Sequence, residues 1–155
     1  MSACVYATVW RSFTDPQPQS LMEAQKKLVH VTRMPIRWGD MDAYGHVNNT
    51  VYFRYMEQAR VEWIEALGIV VRPGGDGPVI INASCTFLIP MTYPGEVEVR
   101  THVGAIGRSS VQTHVDLCID GKVYAEGAAK VVWMDTRTGK SVPLPDRVRA
   151  VLEAG

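Results

Sequence analysis

A chain of 155 residues that is 46% hydrophobic has the size and apolar content of one domain with a real core. Its 16 Lys and Arg cancel its 16 Asp and Glu, which leaves no basic field of the kind that non-specific nucleic-acid binding needs. Three widely spaced cysteines, Cys4, Cys85 and Cys118, form no metal-type pair and predict reduced thiols in a cytoplasmic protein, with Cys85 and Cys118 in strands at or near the core. No stretch has the apolar core of a signal peptide, and none approaches the ~20 apolar residues of a membrane span.

Residues 1–29 read as an N-terminal extension without a legible function. Pro16 and Pro18 among polar residues predict a loop, Leu21 to Leu28 a short helix, and Val5, Trp10 and Phe13 a tether to the core. From residue 30 to 155 the pattern is that of one domain. His30 to Trp38 alternates, with Met34, Ile36 and Trp38 on one face, and Pro35 marks an edge or a bulge because it lacks an N–H. A loop then leads into a long amphipathic run. Apolar residues recur at Tyr52, Met56, Ala59, Trp63 and Leu67, while Arg54, Gln58, Glu62 and Glu65 hold the opposite side, as in a helix with one buried stripe. Asn48 or Asn49 suits its N-cap, and Gly68 its left-handed stop.

Arg72 to Pro78 is a loop by its Gly and Pro content. Val79 to Ile89 is apolar almost throughout, as in a strand covered on most of both sides. Three alternating runs follow. Val97, Val99, Thr101, Val103 and Ala105 share one face, Val111, Thr113, Val115, Leu117 and Ile119 the next, and Val123, Ala125, Gly127, Ala129, Val131 and Trp133 the last. The connections Gly107 to Ser110 and Asp120-Gly121 are short enough to make these strands antiparallel neighbours. Asp135 to Lys140 is a further turn, and Asp146 to Glu153 a short terminal helix after Pro145. The predicted class is α+β: an antiparallel sheet with one long helix to cover it, whose unpaired edges call for self-association.

The chemistry concentrates between Trp38 and Arg60. Asp42 precedes a helix N-terminus, where free N–H groups and the positive end of the dipole favour developing negative charge. A carboxylate beside anion-stabilising amides suits acyl transfer. From composition alone, Asp40 and Asp42 read more simply as turn and capping residues, and Asp40, Asp42 and His46 as metal ligands make a weak case without a further His or Cys. Tyr52, Tyr55 and Trp63 read first as helix packing, and His30, His102 and His114 as ordinary strand residues.

From about His30 to about Glu153 the sequence resembles the hotdog-fold acyl-CoA thioesterases of the 4-hydroxybenzoyl-CoA thioesterase type. The resemblance is carried by G-D-M-D-A-Y-G-H-V-N-N-x-x-Y-x-x-Y-x-E-x-A-R from Gly39 to Arg60, with support from Arg108-Ser109-Ser110 and the ending D-T-x-T-G-K-x-V-P-L-P. It implies a hotdog fold, a curved antiparallel sheet wrapped around one long central helix. It also implies homodimers joined sheet edge to sheet edge, and pairs of dimers forming tetramers. The family's catalytic aspartate falls on Asp42, as nucleophile or general base towards a thioester carbonyl, and the amide near Asn49 falls where the family polarises that carbonyl. His46 matches the D-x-N-x-H-V-N-N motif of plant acyl-ACP thioesterases, although Tyr44 stands at the Asn position; it either holds a water or orients Asp42, or has no chemical role. Glu57 is the second-choice carboxylate, with a structural pairing to Arg60 or a strand as its plainer reading. Asn48, Tyr52, Arg108, Ser109 and Ser110 fall at substrate-binding positions, Tyr52 near the acyl channel and Arg108 towards the coenzyme A phosphates. The implied activity is hydrolysis of acyl-CoA to a carboxylate and free coenzyme A, with no metal or redox cofactor. Alternatives are an acyl-ACP thioesterase, a hotdog hydratase or dehydratase, and a non-catalytic acyl-CoA-binding protein.

Overall fold

The computed structural model describes residues 26–69 and 74–154. The expected tether of Val5, Trp10 and Phe13 lies outside them, as do Cys4 and most of the expected Leu21–Leu28 helix. Lys27 and Leu28 belong instead to the first strand, because they pair with Val103 and His102 on a neighbouring strand.

In chain order the elements are β1 (Lys27–Ile36), a single 3-10 turn (Trp38–Asp40), α1 (Asn49–Ala66), β2 (Asp76–Phe87), β3 (Gly95–Ile106), β4 (Ser110–Ile119), β5 (Lys122–Asp135), β6 (Lys140–Ser141) and α2 (Asp146–Glu153). The strands form one antiparallel sheet in the order β1-β3-β4-β5-β2, with β6 added against β5. The Asp120-Gly121 hairpin has both residues at positive φ, 50° and 77°, the type I′ geometry that matches strand twist.

Residues 49–66 are helical because their apolar positions fall on one stripe. Tyr52, Tyr55, Met56, Ala59, Trp63 and Ile64 are buried. The helix stops in a Schellman arrangement: Gly68 at φ 67° donates its N–H to the Glu65 carbonyl, and Ile69 to that of Ile64. The core divides along the helix. Its first half packs with Ile36, Val47, Met91, Val97, Val99, Leu117 and Ala125. Its second half packs with Val103, Val111, Trp133, Leu144 and, from α2, Val148 and Leu152. Each such fully buried aliphatic side chain contributes about 1.5–3 kcal/mol relative to exposure.

Two expectations need correction. Trp38 does not continue the buried face of β1: the strand ends at Ile36, and Trp38 opens the 3-10 turn with 79% of its surface exposed. β2 is not a doubly covered strand but the sheet's second edge, with a bulge between Ile80 and Asn82 and residues 81–84 exposed. Cys118 lies in the core, as its strand position predicts, and an irregularity at Leu117/Cys118 buries it beside Leu117. Pro35 does lie on an edge strand, β1.

Met91, fully buried, ties the sheet to the start of α1 through its own backbone. Its carbonyl accepts from the Val47 N–H at 2.9 Å, and its N–H donates to the Tyr52 hydroxyl at 3.0 Å. Tyr52 in turn meets Phe87 edge-on, with ring centroids 4.9 Å apart. Tyr52→Phe leaves the Met91 amide without an acceptor, and is expected to cost about 1–3 kcal/mol, read as a lower urea midpoint at unchanged slope.

Candidate active site

The segment from Asp40 to Asn49 is a tight loop that closes on itself before entering the helix. The Asp42 N–H donates to the His46 carbonyl at 2.8 Å, and the Gly45 N–H to the Asp42 carbonyl at 3.0 Å, with Gly45 at φ 78°. Met41 and Val47 form a bridge across the base of the loop. Asp42 Oδ1 accepts the Tyr44 N–H at 2.8 Å, which fixes the carboxylate over its own turn while leaving it half-exposed. His46 and Asp42 are therefore joined through the backbone, and their side chains make no ion pair among the described residues.

The two aspartates of the motif differ in what they touch. Asp40 Oδ2 accepts from the Tyr55 hydroxyl at 2.7 Å and from the Arg37 N–H at 2.8 Å, so it braces the 3-10 turn against α1. Burial of the phenol, reinforced by its hydrogen bond to Asp40, pushes the Tyr55 pKa well up and keeps that hydroxyl a donor. Asp42 has no such side-chain partner among the described residues. No three His, Cys, Asp or Glu side chains there are grouped as metal ligands, Asp40, Asp42 and His46 included.

Asn48 is the N-cap. Its Oδ1 accepts from the Thr50 N–H at 2.9 Å and from the Thr50 hydroxyl at 2.7 Å, while its carbonyl accepts the Val51 N–H. Asn49 is the first helical residue, and its N–H has no acceptor among the described residues. That amide points out of the positive end of an 18-residue helix, beside the loop that carries Asp42.

Other site residues fall elsewhere. Tyr52 is 2% exposed and engaged with Met91, so it is part of the core. Glu57 pairs not with Arg60 but with Arg54, at 2.8 Å. It lies beside a cavity of about 290 Å³ between α1 and the β2 side of the sheet, lined also by Thr50, Met56, Arg60, Trp63, Ile80 and Thr101. Arg60 in that wall carried no signal in the sequence beyond its place in the motif. Arg108, Ser109 and Ser110 form the β3–β4 turn, whose Gly107 and Arg108 carbonyls are held by Arg149 of α2 and whose Ser109 carbonyl accepts from Trp133. This turn belongs to the core half around the end of α1, and the helix is about 27 Å long. Within one chain it does not meet Asp42.

Burial disfavours the thiolate of the two cysteines among the described residues. Burial raises the Cys85 pKa to about 11 and raises that of Cys118 as well.

A model of the thioesterase-like superfamily matches residues 36–152. The chain belongs to that superfamily. Among solved structures, the PA2801 protein of Pseudomonas aeruginosa is 42% identical, with TM-score 0.78 over 81% of this chain and 99% of that one. The long-chain acyl-CoA thioesterase FadM of Escherichia coli is 25% identical over 79% of this chain and 96% of FadM. The chloroplastic acyl-acyl carrier protein thioesterase ATL3 of Arabidopsis thaliana is 26% identical over 78% of this chain and 66% of ATL3. Superfamily membership makes the protein a thioester hydrolase at family level, and the antiparallel sheet with two helices is consistent with the hotdog architecture of such enzymes.

Two outcomes are expected. Asn48→Ala is expected to cost about 1 kcal/mol by loss of the cap, and Asn48→Asp to restore most of it, measured by chemical denaturation. Iodoacetamide at pH 8 is expected to label Cys85 about 100-fold more slowly in the folded protein than in urea, since the thiolate forms only as pH rises towards about 11; peptide mapping by mass spectrometry reads this.

Proposed function

We propose that the chain hydrolyses acyl-CoA thioesters, with Asp42 as nucleophile or general base and the Asn49 amide as oxyanion donor. The observation that carries this reading is the pairing of a carboxylate without a competing side-chain partner and an N–H without an acceptor, on either side of one closed loop. Asp42 attacks the thioester carbonyl carbon directly, or takes a proton from the water that does. The carbonyl oxygen gains negative charge as the tetrahedral centre forms, and the Asn49 N–H meets that charge with the helix dipole behind it. One such donor is worth about 2.7–4 kcal/mol of transition-state stabilisation. The C–S bond then breaks, and coenzyme A leaves as a thiolate that is protonated from solvent. In the nucleophile variant, water cleaves the resulting acyl-aspartyl anhydride.

In this reading His46, half-buried at the far end of the loop, positions the loop or the attacking water. The sheet closes around α1 as in hotdog proteins, the domain begins near residue 30, and the chain works as a homodimer joined along β2, with a dimer of dimers as the next level of assembly. β2 supports this because it is an edge with Ile81 57% exposed. The Arg108–Ser110 turn lies away from Asp42, so a role for Arg108 towards the coenzyme A phosphates at Asp42 requires the turn of a second copy. No helix among the described residues is long and apolar enough to cross a membrane, and we place the activity in the cytoplasm. Carrier-protein thioesters are the second reading, favoured by the match to ATL3 and by the shared H-V-N-N at His46 to Asn49.

Asp42→Asn is expected to lower kcat/KM by about 100- to 10,000-fold in a thiol-release assay on acyl-CoA substrates, the range of a lost acid–base group. Asp40→Asn is expected to lose stability more than chemistry. Single turnover in ¹⁸O-water marks a nucleophile when label enters the Asp42 peptide. Label only in the product fits either a general base or an anhydride opened at the acyl carbon, which rapid-quench mass spectrometry for an acylated Asp42 peptide tells apart. Full activity in Asp42→Asn would overturn the assignment.

A further inference from the structure

The cavity between α1 and the β2 side of the sheet holds two polar side chains that have no partner among the described residues and that the reaction scheme does not use. It runs along the helix from Thr50, in the first turn, to Arg60 and Trp63. Ten residues of helix separate Thr50 from Arg60, a span of about 15 Å. At the near end is the amide-rich helix start where the thioester carbonyl would sit. Much of the wall is apolar, from Met56, Trp63, Ile80 and Val115. Its volume of about 290 Å³ accommodates about ten atoms the size of a water molecule.

At the far end the wall changes character. Arg60 is half-buried and makes no hydrogen bond or ion pair among the described residues. Glu57, one turn earlier, attracts it but is hydrogen-bonded to Arg54 instead. Burial lowers the Arg60 pKa, yet a guanidinium stays charged throughout the working range and offers only donors. Across the cavity, Thr101 is 2% exposed, and its hydroxyl is buried without a partner. Thr113 nearby is different: its hydroxyl donates to the Ala129 carbonyl at 3.1 Å. The wall thus carries a five-donor cation and, just beneath its surface, an unsatisfied hydroxyl in a largely apolar lining. An alkyl chain ending in a methyl group would leave both unpaired in a space it had emptied of water.

Resting on the thioesterase reading, we propose that the preferred acyl group carries a hydrogen-bond-accepting oxygen at its far end, held by Arg60 and Thr101. Arg60 and Thr101 are in this sense specificity residues that act on the acyl terminus, away from the bond that breaks. Glu57 tempers the positive field at Arg60, so a neutral hydroxyl and a carboxylate are both candidates for that oxygen.

The test is thiol release from length-matched acyl-CoA pairs: hexanoyl against adipyl, octanoyl against suberyl, decanoyl against sebacyl, each with its ω-hydroxyacyl counterpart. Wild type is expected to favour an oxygenated substrate over its plain partner by about tenfold or more in kcat/KM at the best-fitting length. Arg60→Met and Thr101→Val are each expected to bring that ratio to within about threefold, mainly through KM for the oxygenated substrate, and Arg60→Lys to recover part of it. The ω-hydroxyl arm tells whether the recognised oxygen is neutral or anionic. Equal or better hydrolysis of plain chains by wild type overturns the inference and leaves the thioesterase reading standing. An unchanged ratio in both variants overturns the assignment to these residues. So does an Arg60→Met protein that changes its sedimenting mass while keeping the ratio, since Arg60 would then belong to a subunit contact. Thr101→Val, nearly isosteric, keeps the question open to refutation if Arg60→Met fails to fold. No thiol release from any substrate overturns both readings.

Discussion

The placement of the Asp40–Asn49 loop and of the helix start depends on one buried peptide unit on each side of Met91. Its carbonyl holds Val47, the residue just before the helix cap, and its N–H holds the hydroxyl of Tyr52 in the first turn of α1. Loop and helix are thereby fixed to the same point of the sheet. Met91 is fully buried, so these bonds face little competition from water, and losing either leaves a polar backbone group stranded in the core. The Met41–Val47 bridge carries that anchorage one step further, to the base of the loop that presents Asp42. The role proposed for Asp42 needs placement to a fraction of an ångström, and backbone bonds into the core supply it.

The aspartate pair shows how neighbouring identical residues take different roles. Asp40 is drawn into two hydrogen bonds with the framework, one from a buried phenol and one from the Arg37 amide. Asp42, two residues on, is held only by the amide of Tyr44 within its own turn and faces outwards. A carboxylate engaged by a buried donor is costly to move. One steadied by its own turn keeps its remaining lone pairs for chemistry. The same division appears at the helix start, where Asn48 occupies the Thr50 amide and leaves that of Asn49 available.

What the sequence made legible was local. The helix over 49–66, its Asn48 cap and Gly68 stop, the Asp120-Gly121 hairpin and the alternating faces of β3, β4 and β5 all follow from spacing and turn chemistry within a dozen residues. What stayed hidden was set by partners far along the chain. A mostly apolar run such as Val79–Ile89 is compatible with a central strand or with an edge that a second molecule covers, and only the pairing of β2 with β5 alone identifies the edge within this chain. Tyr52 has the spacing of both a core residue and a channel residue; the Met91 amide decides for the core. Glu57 and Arg60 fit a helical ion pair by spacing, but Arg54 lies equally close on the other side and takes the carboxylate, leaving Arg60 turned to the cavity. Asp42 was singled out by the motif it shares with a family, since its loop position alone fits a turn residue as well.

The two edges of the sheet are unlike, and the difference bears on how a working site is completed. The β1 edge carries Pro35, which has no N–H to offer, and Arg33, tied at 2.7 Å to Glu98 on β3. Both discourage a further strand. The β2 edge has neither device along its exposed stretch, which includes Ile81 and Ala83 beside the bulge. Ile80 and Ala83 also line the cavity along α1, so whatever covers that edge also borders the cavity. The helix meanwhile keeps Asp42 and the Arg108 turn at opposite ends of one chain. A second copy added antiparallel along β2 reverses the direction of its own helix, which brings the far end of one subunit towards the near end of the other. In the proposed homodimer, the open edge, the cavity beside it and the separation of Arg108 from Asp42 are accounted for by a single geometric operation, a two-fold axis through β2.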